Sequence, residues 1–195
     1  MSFTCISSSV ILNFMASKTV STLLFLGTFF IAISLPMRIK KMSPEKAEGL
    51  FWFYSVLIGA FISPICIIYT GESIVNAFLT TAAFFGGMSL YGYTTKKDLT
   101  ALGSFMFVGL VTIIVASLVN CLWTKNSAFH LLLTALSVII FCGLTAYDVQ
   151  KIKSFYNPSI GNETLGKQAT LGALVLYLDF LNLFLNLIRL LGKRR

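Results

Sequence analysis

Charged residues are scarce in this sequence. Only 11% of its 195 residues are charged, whereas 56% are hydrophobic. A soluble domain of this length carries roughly 25% charged residues. The composition therefore excludes an ordinary soluble globular protein. It indicates an all-α, polytopic membrane protein with no separate soluble domain.

Side chains of common catalytic and metal sites are also scarce. The sequence has one histidine, His130, and it lacks His-Glu-x-x-His, Gly-x-Ser-x-Gly and a phosphate-binding glycine loop. The four cysteines form no Cys-x-x-Cys pair, so we interpret them as small core residues and not as a disulfide or metal framework. They are Cys5, Cys66, Cys121 and Cys142. We therefore expect neither an enzyme nor a bound cofactor.

Long apolar runs account for most of the chain. A transmembrane helix needs about 20 apolar residues, and six runs are long enough. They lie at about 18–36, 49–69, 72–93, 103–123, 128–147 and 170–191. The first 17 residues are a shorter apolar stub, so we expect one helical bundle domain over 18–195.

Two prolines predict details of the second span. Ser43-Pro44 resembles a helix start, with an N-cap serine followed by proline in the first turn. Pro64 lies inside the apolar run and is expected to kink the helix, because it removes a backbone hydrogen bond. Small residues at four-residue spacing predict close helix packing. They are Ser55, Gly59 and Ser63, then Ala82 with Gly86, and Ala83 with Gly87.

The net charge of +8 comes from basic residues at the ends of the apolar runs. Such residues set membrane topology and are not typical of a nucleic-acid interface. The lysine-rich loops 37–48, 94–100 and 148–169 are predicted to be cytoplasmic. The basic tail, 189–195, breaks this pattern. Either the last segment does not cross completely, or the earlier loops outweigh the tail.

Asp179 is an ionisable residue in the middle of the last apolar run. A charged group at this depth costs roughly 2.5–3.5 kcal/mol on insertion scales, so it is a candidate functional residue. Asn182, Asn186, Gly172 and Arg189 share its side of the helix at helical spacing. This polar stripe is expected to face protein or water. A structural network between helices could explain the asparagines, but it explains a carboxyl less well.

Asp148 ends the preceding span, so two carboxyls lie on consecutive spans. If they approach closely in a low-dielectric site they would share a proton and form a pH sensor. Arg38 is the best-placed cation to latch the pair, with Lys40 and Lys41 as alternatives. Paired carboxylates also suit calcium, which binds oxygen ligands. The alternative for Asp148 is simple pairing with Lys151.

Three segments resemble the Bax inhibitor family in its bacterial branch. They are Met88-Ser-Leu-Tyr-Gly-Tyr-Thr-Thr-Lys-Lys-Asp-Leu99, Gly143-Leu-Thr-Ala-Tyr-Asp-Val-Gln-Lys-Ile-Lys153 and Leu171-Gly-Ala-Leu-Val-Leu-Tyr-Leu-Asp-Phe-Leu-Asn-Leu-Phe184. The resemblance implies a seven-helix bundle of the inner membrane with the last helix central, acting as a pH-sensitive calcium leak. It also implies that Asp148 and Asp179 hold the pore shut and that Arg38 latches them. Only the stub at 2–16 corresponds to the family's first span.

Two rival interpretations remain. The first is a membrane partner that transports nothing itself and modulates a membrane protease or a stress-response complex. The second is an intramembrane aspartyl protease, which also places two acids on neighbouring spans. Only Tyr147-Asp148 matches the signatures of such proteases, so the first rival is the stronger of the two.

Overall fold

The computed structural model describes residues 43–155 and 161–195, and these residues are almost entirely helical. The helices are α1 (Pro44–Ile62), α2 (Ile65–Ile68), α3 (Gly71–Thr94), α4 (Thr100–Val119), α5 (Ser127–Phe155) and α6 (Asn162–Leu191). A π-helical turn, Asn120–Thr124, follows α4 directly. The prediction of an all-α protein is confirmed.

Five helical segments of the described residues are long and apolar enough to cross a membrane. They are Pro44–Ile68, Gly71–Thr94, Thr100–Trp123, Ser127–Phe155 and Thr164–Leu191. They correspond to the second to sixth predicted spans. The first predicted span, 18–36, and the stub before it lie outside the described residues.

The prolines define the second predicted span as expected. α1 begins at Pro44, directly after Ser43, although the Ser43 side chain makes no capping hydrogen bond. α1 ends at Ile62 and α2 begins at Ile65, so the interruption lies at Ser63-Pro64. Proline lacks the backbone N–H that a continuous helix needs at this position.

The prediction of a loop over residues 148–169 is largely wrong, because α5 continues to Phe155 and α6 already begins at Asn162. The charged residues after Tyr147 end the apolar run, but they do not end the helical hydrogen bonding. A helix can extend beyond the apolar core of a membrane, where Lys151 and Lys153 are solvated.

The chain divides into two compact units. The described part of the first unit contains α1, α2, the start of α6 up to Leu171, and the last two residues. In it, the backbone amide of Arg195 donates a hydrogen bond to the carbonyl of Ile68 at 3.0 Å. Gly166 lies against Pro44, since a Cβ on this glycine would be 3.2 Å from the proline ring.

The second unit contains α3, α4, α5 and the part of α6 that begins at Gly172. Its apolar core forms between α5 and α6, with α3 and α4 packed against it. The buried members are Phe141, Leu144, Leu183 and Leu187. This core places the second half of α5 beside the middle of α6.

In the second unit, α6 runs from one end to the other. Gly172, near its start, packs against Ile152 at the end of α5. After its last turn, the backbone amide of Lys193 donates to the Ser73 hydroxyl at 3.0 Å, at the start of α3. The part of α6 in this unit therefore extends through the whole unit, and Lys193 lies at the end where α3 begins.

Close helix packing uses different glycines from those that the sequence pattern indicated. The predicted positions Gly59, Gly86 and Gly87 have no side-chain or partner atoms within 4 Å of an added Cβ. Other glycines of the second unit contact a neighbouring helix. They are Gly92 against Ala146, Gly103 against Tyr147, Gly109 against Ile140 and Gly143 against Met106.

Candidate functional site: a carboxyl pair between two helices

Asp148 on α5 and Asp179 on α6 are in hydrogen-bonding contact through their side chains. Asp179 is buried, with 6% of its surface exposed, and Asp148 is half-buried. A hydrogen bond between two carboxyl groups requires a proton on one of them, because an ionised carboxylate only accepts.

One oxygen of this pair, the buried Oδ2 atom of Asp179, accepts no hydrogen bond from an N–H group or a hydroxyl of the described residues. A buried carboxyl oxygen without a partner is costly in an apolar environment. This cost leaves the site poised for a proton, a cation or a water molecule.

The backbone beside Asp148 is held by two close contacts. Gly92 of α3 lies against the backbone of Ala146, and Gly103 of α4 lies against the ring of Tyr147. Ala146 is completely buried. Because both contacts adjoin Asp148, the position of its backbone is fixed by helix packing.

Aromatic packing fixes the position of Asp179 on α6. The next residue, Phe180, packs edge-to-face against Phe78 and Phe85 of α3, with ring centroids 5.6 Å and 5.5 Å apart. Such aromatic pairs stabilise an interface beyond the area that they bury. Leu183, one turn later, is completely buried. The helix therefore has little freedom to rotate Asp179 away from α5.

The asparagines of the polar stripe form hydrogen bonds within their own helix. The Asn182 side chain donates to the Leu178 carbonyl and the Asn186 side chain donates to the Asn182 carbonyl, both at 2.8 Å. These bonds give no support to the alternative of an amide network between helices. Asn186 is buried and Asn182 half-buried, while Arg189 is exposed. The stripe thus faces protein except at its last residue.

The predicted latch, Arg38, lies outside the described residues, as do Lys40 and Lys41. Its role stays a prediction. Among the described residues, Lys151 interacts electrostatically with Asp148, and its ammonium group lies 5.4 Å from the centroid of the Tyr147 ring. The attraction of Lys151 therefore acts on Asp148 alongside its contact with Asp179.

The carboxyl pair does not make a complete resident metal site on its own. Within residues 43–155 and 161–195, no three His, Cys, Asp or Glu side chains group around one point. Calcium takes six to eight oxygen ligands, and two carboxyls supply at most four. The pair could contact a calcium ion in passage only together with water or backbone oxygens.

The cysteines are only partly as expected. Cys66, Cys121 and Cys142 are free thiols, in agreement with the expectation of no disulfide. However, Cys66 and Cys121 are exposed, so their interpretation as core residues is wrong. Cys142 is half-buried and packs against the apolar core. Cys5 lies outside the described residues.

Gln150 is a structural residue of the site that the sequence did not reveal. Its side-chain carbonyl accepts a hydrogen bond from the Leu99 amide, and its side-chain amide donates to the Lys97 carbonyl, both at 2.8 Å. One turn later, the Lys153 ammonium donates to the Tyr93 carbonyl at 2.8 Å. These bonds attach the α3–α4 loop to the end of α5. No spacing rule connects residues so far apart in sequence.

Asp98 is an exposed acid with a local structural role. Its Oδ1 accepts hydrogen bonds from the Thr100 hydroxyl at 2.6 Å and from the Thr100 amide at 2.9 Å. Both hydrogen bonds hold the pKa of Asp98 below its usual value, and the bond from the Thr100 hydroxyl has the larger effect. An aspartate two residues before a helical threonine is a recognisable turn signal.

The amino-acid sequence can be compared with those of known proteins. The whole chain, residues 1–195, matches the family model described as inhibitor of apoptosis-promoting Bax1. The inner membrane protein YbhL of Escherichia coli strain K12 is 47% identical over 174 residues, which cover 88% of this chain and 74% of that protein. An uncharacterized protein of Rickettsia prowazekii is 42% identical over 193 residues, 98% of this chain and 81% of that protein.

A third relative extends this likeness to another bacterial group. An uncharacterized protein of Borreliella burgdorferi is 46% identical over 168 residues, 86% of this chain and 72% of that protein. Since the family model covers every residue and each of these relatives is more than 40% identical over the aligned residues, the likeness is not confined to one motif. The chain therefore belongs to the Bax inhibitor family and is a multi-pass protein of the bacterial inner membrane.

Proposed function

We propose that this protein lets calcium ions pass passively across the inner membrane and that protonation of the Asp148–Asp179 pair controls the passage. The observation that supports the proposal is the contact between the two carboxyls, one of them buried in the centre of the last helix. No enzymatic step is part of this function.

The control follows from the charge of the pair. Two unit charges about 4 Å apart interact by about 4 kcal/mol at an effective dielectric constant of 20. A pair that holds one proton avoids this repulsion, and loss or gain of a proton changes both the charge and the hydrogen bond. Each change alters the contact between α5 and α6. The proton concentration thereby selects between a closed and an open arrangement of these helices.

Calcium is the proposed ion because the pair offers only oxygen ligands, which hard cations prefer. An incomplete ligand set favours passage over storage, since an ion that is held by few protein ligands leaves readily. Arg38 is proposed to compete with the proton for the carboxylate, because arginine stays charged and can bind a carboxylate through two hydrogen bonds.

The test is calcium flux into vesicles that contain the purified protein and a calcium-sensitive dye. The wild-type flux is expected to change with pH, and Asp179→Asn is expected to abolish this dependence because asparagine cannot exchange the proton. Glu48→Gln is the matched control, because Glu48 is an exposed acid of α1. The control should keep the wild-type pH profile.

Two outcomes contradict the proposal. An unchanged pH profile in Asp179→Asn removes the carboxyl pair as the gate. Absence of flux at every pH, together with a protein that co-purifies stably, favours instead the non-transporting partner of a membrane protease or stress-response complex.

A further inference from the structure

A basic cleft lies beside the carboxyl pair, between the α3–α4 loop and the end of α5. Its volume is about 480 Å³, and its lining includes Lys96, Lys97, Asp98, Gln150 and Lys151. The proposed passage through the carboxyl pair assigns no role to this cleft. All of its lining residues belong to the second unit.

The charge of the cleft favours an anion. Three ammonium groups face one carboxylate, that of Asp98, so the lining carries a net charge of +2. The Oδ1 atom of Asp98 already accepts two hydrogen bonds from Thr100. The carboxylate is thus held at the start of α4. Lys96 and Lys97 are exposed and are left to meet a ligand, while Lys151, also exposed, is attracted by Asp148 as well.

The frame of the cleft is fixed in advance. Gln150 binds the backbone on both sides of Asp98, at Lys97 and Leu99, and Lys153 binds the Tyr93 carbonyl at the end of α3. The loop that carries Lys96 and Lys97 is therefore held against the helix that carries Lys151. A preorganised site loses less conformational entropy when a ligand binds.

The surroundings of the cleft favour a lipid over a free anion. The cleft lies where α3 and α5 end and α4 begins, at the end of the second unit that carries the α3–α4 loop. Its lining includes the exposed aromatic side chain of Phe155. Two further aromatic residues of these elements are exposed, Tyr93 at the end of α3 and Phe105 in the first turns of α4. Aromatic residues at this depth are typical of the membrane interface. A ligand with an anionic head and apolar chains matches both surfaces.

We propose that this cleft binds the phosphate headgroup of an anionic phospholipid from the leaflet that faces the lysine-rich loops, with its acyl chains along the exposed faces of α3, α4 and α5. Basic pockets between transmembrane helices commonly hold such headgroups. The inference does not depend on calcium passage.

The experiment measures lipid retention by the whole protein with native mass spectrometry. The protein is purified from vesicles of phosphatidylglycerol and phosphatidylcholine in equal amounts. The test variant carries Lys96→Gln, Lys97→Gln and Lys151→Gln together. The matched variant carries Arg at the same three positions and keeps the charge, which shows whether any loss reflects the charge and not the fold. Lys125→Gln is a second control, because Lys125 is exposed in the α4–α5 connection.

The wild type is expected to retain phosphatidylglycerol in preference to phosphatidylcholine. Each lysine near an anionic lipid contributes a factor of about five in affinity, so the triple Gln variant is expected to lose on the order of a hundredfold. The triple Arg variant and Lys125→Gln should retain the lipid like the wild type.

Equal retention of the two lipids by the wild type overturns the proposal, and so does undiminished phosphatidylglycerol retention in the triple Gln variant. A separate arm adds soluble glycerol phosphate. If this headgroup alone displaces the lipid at an equal concentration, the cleft is a site for free phosphate and the lipid assignment is wrong.

Discussion

Gly92 of α3 lies directly against the backbone carbonyl of Ala146 on α5, two residues before Asp148. A Cβ at position 92 would overlap this carbonyl. Main-chain atoms cannot rotate away as a side chain can, so relief would require the two helices to separate. We expect Gly92→Ala to lower the free energy of unfolding by about 1–3 kcal/mol, the usual cost of overpacking. Thermal unfolding in detergent micelles measures the change.

Gly87→Ala is the matched control for this prediction, since it makes the same change in the same helix. A Cβ at position 87 meets nothing within 4 Å, and alanine is the better helix former by roughly 0.5–1 kcal/mol. The control should be neutral or slightly stabilising. Equal losses in the two variants would mean that the helix, and not the contact with Ala146, accounts for the effect.

The two carboxyls are expected to act as one unit in calcium flux. Asp148→Asn and Asp179→Asn each remove the partner that the other needs to share a proton, so either should flatten the pH profile. Their effects should not add, because groups in direct contact are energetically coupled. The measurement compares the pH profiles of both single variants and the double variant. A double variant with a clearly larger effect than either single variant contradicts a shared proton.

The titration of Asp98 tests the structure outside the membrane spans. Its pKa lies below the ordinary 3.8 because Thr100 donates two hydrogen bonds to the carboxylate, the more effective one from its hydroxyl and the other from its backbone amide. The stability that these two hydrogen bonds give to the folded state is therefore fully present above about pH 4. It is lost as the pH falls through the lower pKa of Asp98 in the folded state. We expect the difference in melting temperature between the wild type and Asp98→Asn to shrink in this acidic range.

Thr100→Val gives a direct readout of the same hydrogen bonds. It removes the hydroxyl, which is the main cause of the lowered pKa, and keeps the backbone amide. The pKa of Asp98, followed by carbon NMR of the carboxyl, should rise towards its ordinary value. Thr112→Val changes a threonine that bonds only within α4, and it should leave this titration unchanged. A shift of the same size in both variants argues against the bond from Thr100.

Gln150 is expected to protect the α3–α4 loop from opening. Gln150→Leu removes both of its hydrogen bonds and leaves the buried Leu99 amide without its acceptor, which costs about 1–2 kcal/mol in local stability. Hydrogen exchange at the Leu99 amide should therefore accelerate by roughly tenfold. Gln150→Glu keeps the acceptor for Leu99 and loses only the donor to Lys97, so it should preserve protection at Leu99. Unchanged exchange in Gln150→Leu would show that the loop is held by other contacts.

Features of the fold that depend on covalent geometry or on long apolar runs were predictable from the sequence. Proline lacks a backbone donor wherever it occurs, so Pro44 and Pro64 mark helix boundaries without knowledge of any neighbour. The cost of an ionisable group in an apolar run likewise singled out Asp179. The contact between Asp148 and Asp179 was an available hypothesis because both residues lie on consecutive spans.

Features that depend on tertiary partners were not predictable. The sequence does not distinguish Gly92, which packs against Ala146, from Gly87, which contacts no partner, since both lie in the same apolar helix. The bonds of Gln150 join residues about 50 positions apart. The end of α5 was misplaced because hydropathy measures transfer into lipid, whereas a helix ends where its backbone hydrogen bonds end.

The hydrogen bond between Arg195 and Ile68 makes a natural cysteine a reporter of membrane sidedness. Cys66 is exposed in α2, two residues before Ile68, and belongs to the same unit as Arg195. In a variant that carries Cys5→Ser, Cys121→Ser and Cys142→Ser, a thiol reagent that cannot cross membranes, added to intact cells, therefore reports through Cys66 on which side residues 194 and 195 lie. Topology can thus be read from a native cysteine, without an epitope attached beside the backbone bond that holds the tail.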